Sequence, residues 1–222
     1  MLTDEERIAF DKSIAGVRHL AAKSLAQASD AGQAIEFVAN LHRSIDSVAL
    51  HASEVGPTPD CQLGCSYCCY IRVEATDPEI FRIVRRIRQR PEAEVADLSE
   101  RLRRHATGRS VAGGDARQCC AFLVGAQCTI YEVRPATCRK AHSLSVRQCE
   151  TLSAEIPQNL KLLVAADAMM AGTAEAYRGR KLHAEAHELN AAVLAALNDQ
   201  AAEARWYNGD DVFRCSGQLA PD

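Results

Sequence analysis

Cysteine is the residue through which this chain can do chemistry. Nine of its ten cysteines fall between Cys61 and Cys149, in two tight groups. The first reads Cys61-Gln62-Leu63-Gly64-Cys65-Ser66-Tyr67-Cys68-Cys69. The second is Cys119-Cys120-Ala121-Phe122-Leu123, followed by Cys128, Cys138 and Cys149. A thiolate is a soft, anionic donor, and short spacings let one loop aim several of them at one ion. The pattern therefore points to metal capture. Gly64 permits a sharp backbone turn just before Cys65. Neighbouring residues tend to point apart, so Cys68 and Cys69 are not expected to serve one mononuclear site together. The number of thiols leaves room for more than one ion, or for one multi-iron cluster.

Four thiolates around a divalent ion leave a charge of about −2, which needs cations or hydrogen-bond donors nearby. Arg72 stands beside the first group, and Arg134, Arg139 and Lys140 stand beside the second. His142 is a mixed-ligand candidate, because imidazole also suits zinc and iron. Cys215 stands alone near the C-terminus and reads as a thiol outside any site. His183 and His187 lie one helical turn apart in an expected helix. The zinc-protease motif needs Glu directly after the first His, and Ala184 is there instead, so solvated helix histidines are expected.

Composition narrows the function classes. Net charge is −3 and aromatic residues make up 5%. Neither a basic footprint for nucleic acid nor a base-stacking platform follows from that. Eight arginines in the segment 77–105 face six acids, so this run reads as a solvated helix face. No apolar stretch is long enough to span a bilayer, and the acidic start Met1-Leu2-Thr3-Asp4-Glu5-Glu6 lacks a signal-peptide pattern. A cytoplasmic location without membrane or nucleic-acid partners is expected. There, clustered cysteines serve metal or redox chemistry rather than disulfides.

The elements that must carry these cysteines read as helices. Thr3 and Glu6 fit a capping box opening a helix over 3–28, with Ile8, Ile14, Val17, Leu20, Ala21 and Leu25 on one face. Asp30-Ala31-Gly32 breaks it, and a second helix covers 33–53. Asp77 as N-cap and Pro78 open a helix to about Gln89, with Ile80, Ile83, Val84 and Ile87 inward. Pro91 restarts a helix carrying Val95, Leu98 and Leu102, and 108–114 connects it onward. Residues 118–150 read as mostly irregular, with short strands near 71–75 and 129–131. Helices over 157–177 and 181–205 follow, the first with Leu160, Leu163, Val164, Ala168 and Met169 at its apolar positions. The expected fold is mainly α: a single domain over 1–222, whose cysteine-cluster region (56–150) is flanked by N-terminal helices (3–53) and C-terminal helices (157–205).

Cys61-x3-Cys65-x2-Cys68-Cys69, then Cys120-Ala121-Phe122-Leu123, then Cys128-Thr-Ile-Tyr-Glu-Val-Arg-Pro-Ala-Thr-Cys138-Arg139 resembles the bacterial CxxCxxCC cysteine-cluster family often called YkgJ-like. Its signature runs C-x(2,3)-C-x2-CC, then CPFL, then C-x-IYexRPxxCR, and it is described as zinc- or iron-chelating. Ala121 replaces the proline of CPFL, and Cys119 adds a vicinal thiol that the signature does not require. The resemblance implies metal ligation by Cys61, Cys65, Cys68, Cys69, Cys120, Cys128 and Cys138. Cys119, Cys149 and His142 are additional candidates. Tyr131, Arg134 and Arg139 are expected to support the ligands from behind. The implied function is chelation of zinc or iron through clustered thiolates. An iron–sulfur enzyme of redox or methyl-group-modifying type is a second reading, since the Cys61–Cys68 loop is also similar to that of radical S-adenosylmethionine enzymes. The repeated strand–helix units of those enzymes are missing from the pattern. A helical interaction module with a structural metal is a third.

Overall fold

Three N-caps set the helical frame of the structure, a computed structural model that describes residues 3–62, 64–111, 118–151 and 153–214. The Thr3 hydroxyl accepts the Glu6 N–H (3.2 Å) and the Glu6 carboxylate accepts the Thr3 N–H (2.8 Å), opening α1 (Asp4–Leu25). Asp30, expected as a helix breaker, caps α2 (Ala31–Val55) by accepting the Gln33 N–H at 2.8 Å, so Ala31 and Gly32 are already helical. A short strand, β1 (Glu74–Thr76), leads into α3 (Asp77–Arg88), where Thr76 and not Asp77 is the N-cap. Its N–H and hydroxyl both donate to Glu79, each at 2.9 Å. Asp77 instead accepts the distant Glu185 N–H at 2.8 Å.

Helix α4 (Glu92–Val111) runs past Gly108, where a connection was expected. The rest of that connection, residues 112–114, lies outside the described residues, as does Cys215. The second cysteine segment is built from short pieces: β2 (Leu123–Val124), β3 (Gln127–Cys128), a single 3-10 turn at Tyr131–Val133, α5 (Ala136–Lys140) and α6 (Val146–Glu150). Then come α7 (Leu160–Gly179), β4 (Ala186–Glu188), α8 (Leu189–Asn198) and α9 (Ala202–Tyr207). The fold is mainly helical, as expected.

The helix expected over 181–205 is three elements. β4 pairs antiparallel with β1, in the register Glu74↔Glu188, Ala75↔His187, Thr76↔Ala186. The Glu188 side chain then accepts the Ala191 N–H (2.8 Å) and starts α8, and Asp199 accepts the Ala201 N–H (2.9 Å) ahead of α9. His183 and His187 therefore do not share a helix face. His187 packs on Phe213 and stands 3.4 Å from Asp77. Alanine and leucine favour helix here, but the ladder to β1 takes the backbone donors first.

Helix α3 is the hub. Ile80, Phe81, Ile83, Val84 and Ile87 are all buried, against α2, α4 and α8, in one cluster with Leu98, Leu102, Tyr177 and Trp206. Its arginines are not merely solvated. Arg85 pairs with Glu203, Arg86 with Glu132, Arg82 with Glu36, and Arg88 donates to the Ala196 carbonyl at 3.0 Å. Each ties α3 to another segment.

Helices α1 and α7 pack closely, and the contact is narrower than the apolar periodicity suggests. Of the α1 residues assigned inward, Ala21 and Leu25 are buried, Ile14 and Val17 half-buried, and Ile8 and Leu20 exposed. On α7, Leu160 and Val164 are exposed while Leu162, Ala166 and Ala168 are buried. Gly172 explains the geometry. A Cβ there would lie 2.7 Å from the Ile14 carbonyl oxygen and 2.7 Å from the Val17 Cβ, so the backbones meet at a glycine. Gly172→Ala should destabilise the protein by about 1–3 kcal/mol, despite alanine's better helix propensity, because the opposing atom is main chain and cannot swing away. A Tm equal to or above that of the parent in thermal unfolding would contradict this packing.

Candidate metal centre

Backbone hydrogen bonds bring the two cysteine segments together. The Cys120 N–H donates to the Cys69 carbonyl at 2.8 Å, joining the end of the first group to the start of the second. The first group follows a loop in which Gly64 has φ +89° and the Cys65 N–H closes on the Gln62 carbonyl at 2.9 Å. Cys68 and Cys69 then lie in a single 3-10 turn, Tyr67–Tyr70.

In the second group, β2 and β3 form a two-residue hairpin in the register Leu123↔Cys128 and Val124↔Gln127. Its turn residues, Gly125 and Ala126, both have positive φ (+55° and +63°), the geometry that matches the twist of the flanking strands. The hairpin swings Cys128 back beside Cys120. Pro135 sets the chain for α5, on which Cys138 sits, its N–H bonded to the Pro135 carbonyl at 2.9 Å. Cys120, Cys128 and Cys138 all pack against the main hydrophobic core.

Residues far away in sequence hold this arrangement, and no local pattern marks them. The Asn190 side-chain carbonyl accepts the Ala121 N–H at 3.1 Å and stands 3.6 Å from the Cys120 sulfur. Asn190 is itself buried and held by Glu188 at 2.9 Å. Arg101 donates to the Ala121 carbonyl at 2.8 Å. The Ser143 N–H donates to the Cys61 sulfur at 3.3 Å, and Asp60 accepts the Val146 N–H at 3.1 Å.

All nine described cysteines are free thiols. Burial pushes the Cys138 thiol up, helped by the nearby charge of Cys120, Cys68 and Cys128. Burial likewise raises Cys120, to about 11, and Cys128. Cys68 goes the other way, to about 6, because the Cys69 thiol hydrogen-bonds to it, with Arg134 adding to the effect. The same bond holds Cys69 as a thiol. Burial also raises Cys61, whose charged neighbours are Cys65, Cys68 and Cys149. Desolvated thiols that repel one another's charge are the environment a soft divalent cation relieves, since coordination deprotonates a thiol outright. In donor chemistry the residues fit such an ion. Among the described residues, no three Cys, His, Asp or Glu side chains already stand in a metal-holding arrangement. The sulfurs are neighbours rather than a closed coordination shell.

The remaining candidates are placed as follows. Cys119 is half-buried, its sulfur 3.4 Å from the Cys120 carbonyl oxygen. Cys149 lies on α6, next to the Cys61 loop. His142 has both ring nitrogens engaged: Nδ1 with the Lys140 carbonyl (2.9 Å) and Nε2 with the Asn159 N–H (2.7 Å). Arg134 lies 3.8 Å over the Tyr131 ring, and its charge reaches Cys68 and Cys128. Tyr131 is exposed. Arg139 holds the chain, donating to the Arg134 carbonyl at 3.0 Å, to the Glu132 carbonyl and to Asp46. Arg72 pairs with Glu74, and Lys140 with Asp167.

Beneath Cys138 lies a buried polar cluster that sequence reading did not single out. Glu79 Oε1 accepts the Ala136 N–H at 2.7 Å and faces His42 Nε2 at 2.8 Å. Arg82 approaches His42 Nδ1 at 3.3 Å. Arginine can only donate, so Nδ1 is the acceptor and His42 is neutral, giving its Nε2–H to Glu79. Burial keeps the His42 pKa low, in agreement.

The architecture so far is that of a helical protein with a thiol-rich cluster threaded between its helices. Residues 60–159 match the family described as "CxxCxxCC: Putative zinc- or iron-chelating domain". Comparison with curated proteins and with solved structures found no match. Among the described residues, no helix is long and apolar enough to cross a membrane.

Glu79→Gln should cost about 2–4 kcal/mol, because an amide must turn its NH₂ toward groups that themselves donate. Denaturant titration measures this, and a change under about 0.5 kcal/mol would contradict the assignment. The same cluster sets a pH dependence. A histidine whose pKa falls on folding binds fewer protons than the unfolded chain from its folded pKa up to 6.5. Stability therefore rises with pH across that window and is lost as pH drops through it. Glu79, also lowered, extends the loss below 4.5. At fixed metal content, His42→Gln should flatten the slope between pH 7 and 5 (the ordinary histidine range). An unchanged slope would show that His42 is not its source.

Proposed function

We propose that this protein chelates zinc or iron through its clustered thiolates, in the reducing environment of the cytoplasm. The ligands are drawn from Cys61, Cys65, Cys68, Cys69, Cys120, Cys128 and Cys138. Zinc is the favoured ion, as a closed-shell metal that accepts four thiolates without redox chemistry. The observation that carries this reading is the Cys120–Cys69 backbone bond, which sets the two cysteine segments face to face. The ion supplies a cross-link between them, and drawing the sulfurs into a closed shell couples binding to local folding. Arg134 offsets part of the anionic charge that thiolate ligation leaves. Asn190, Ser143 and Glu79 act on the ligands by fixing the segments that bear them.

Protein purified anaerobically should carry at least one equivalent of zinc or iron by elemental analysis, and Cys138→Ser should lose most of it. Colourless zinc protein supports simple chelation. A brown protein with a reducible chromophore would move the reading to an iron–sulfur centre. Metal-free wild-type protein that also fails to take up added Zn²⁺ under reducing conditions would overturn it.

A further inference from the structure

We propose that the thiols form two distinct metal sites: an inner one of Cys69, Cys120, Cys128 and Cys138, and an outer one of Cys61, Cys65, Cys68 and Cys149. The inference rests on the chelation reading above and adds the division of the ligands. It assigns Cys149, one of the additional candidates, as a ligand.

The inner four belong to segments tied to the core. The Cys69 carbonyl receives the Cys120 N–H, the hairpin register sets Leu123 opposite Cys128, and Cys138 rises from α5, whose first N–H is fixed by buried Glu79. Three of the four sulfurs pack against the main hydrophobic cluster.

Of the outer four, Cys61, Cys65 and Cys149 belong to a separate contact, between the Cys61 loop and α6, while Cys68 stands between the two sets, its charge reaching Cys61 on one side and Cys128 and Cys138 on the other. The Asp60 N–H donates to the Ser143 carbonyl at 2.9 Å, and the Cys61 sulfur accepts the Ser143 N–H. The Asp60 carboxylate accepts the Val146 N–H, and the Tyr67 hydroxyl donates to Glu150 at 2.9 Å. These bonds clamp the loop to both ends of α6, with Cys149 between them. This set is the more open one, for Cys61 and Cys68 are exposed.

The vicinal pair is the seam. Cys68 and Cys69 follow each other in one 3-10 turn, so adjacent residues can serve adjacent ions. A single mononuclear ion accepts four of these sulfurs and leaves the other four unexplained. Because two of the outer sulfurs belong to exposed residues and none of the inner ones does, the outer ion is the more exchangeable one.

Titration of the reduced full-length chain with Co²⁺ and then Zn²⁺ under anaerobic conditions tests the division. Wild type should bind two equivalents through thiolate, seen as sulfur-to-cobalt charge-transfer absorbance. Cys149→Ser or Cys61→Ser should remove one equivalent and leave the other. Cys128→Ser or Cys138→Ser should remove the complementary one, with circular dichroism confirming that each variant is folded. A chelator should strip one equivalent first, the one missing from Cys149→Ser. A single equivalent in wild type, or two retained in both outer variants, overturns the division and leaves chelation standing. No uptake by wild type overturns both.

Discussion

The saturated carboxylate of Glu79 is the interaction on which the cysteine-bearing half of the molecule depends. A carboxylate offers about four lone-pair positions. Here Oε1 takes His42 Nε2–H and the Ala136 N–H, and Oε2 takes the Thr76 N–H and hydroxyl. Transferring an unpaired carboxylate from water to this depth would cost several kcal/mol. Four donors offset that cost, and they come from α2, from the end of β1, and from the start of α5. One side chain on α3 thus fixes the relative placement of three elements, among them the short helix that carries Cys138. His42 must stay neutral for this to hold, because Arg82 closes its other nitrogen.

The thiols stand in a balance of the opposite kind. Packing Cys120, Cys128 and Cys138 against the core gains apolar contact for sulfur, a soft and weakly polar atom. The same burial makes their thiolates costly, which is why their pKa values rise. Cys68 escapes this rise, through its vicinal partner and Arg134. Ionising the buried group as a whole needs a cation placed among the sulfurs, and the arginines do not fill that role. Arg139 is spent on carbonyls and Asp46, while the charge of Arg134 reaches Cys68 and Cys128 and that of Arg90 reaches Cys128, too little to balance the whole group.

Most of the frame was legible in the sequence because it rests on local signals. The capping box at Thr3, the stripe along α3 and the turn at Gly64 all depend on residues a few positions apart. The cysteine groups were legible for the same reason. Where the reading failed, a distant partner decided the outcome. The segment 181–188 left the helix for a ladder to β1, and the Leu160 face of α7 gave way to the Gly172 contact with α1. Glu79, Asn190 and Ser143 were invisible as supports, since nothing near them in sequence announces the groups they hold, two backbone N–H groups and the Cys61 sulfur.

The lengths of the elements divide the labour within the domain. α5 and α6 have five residues each, and β2 and β3 have two. Pieces this short have too few internal hydrogen bonds to persist alone. The helices α1, α2, α3, α7 and α8 have their own buried faces and close on one another without any thiol. On the proposed reading, an ion would therefore organise the segments between the helices rather than the fold as a whole. Such a centre can fill and empty while the helical frame stands, which suits a cargo-holding or exchangeable site better than a metal on which folding depends outright.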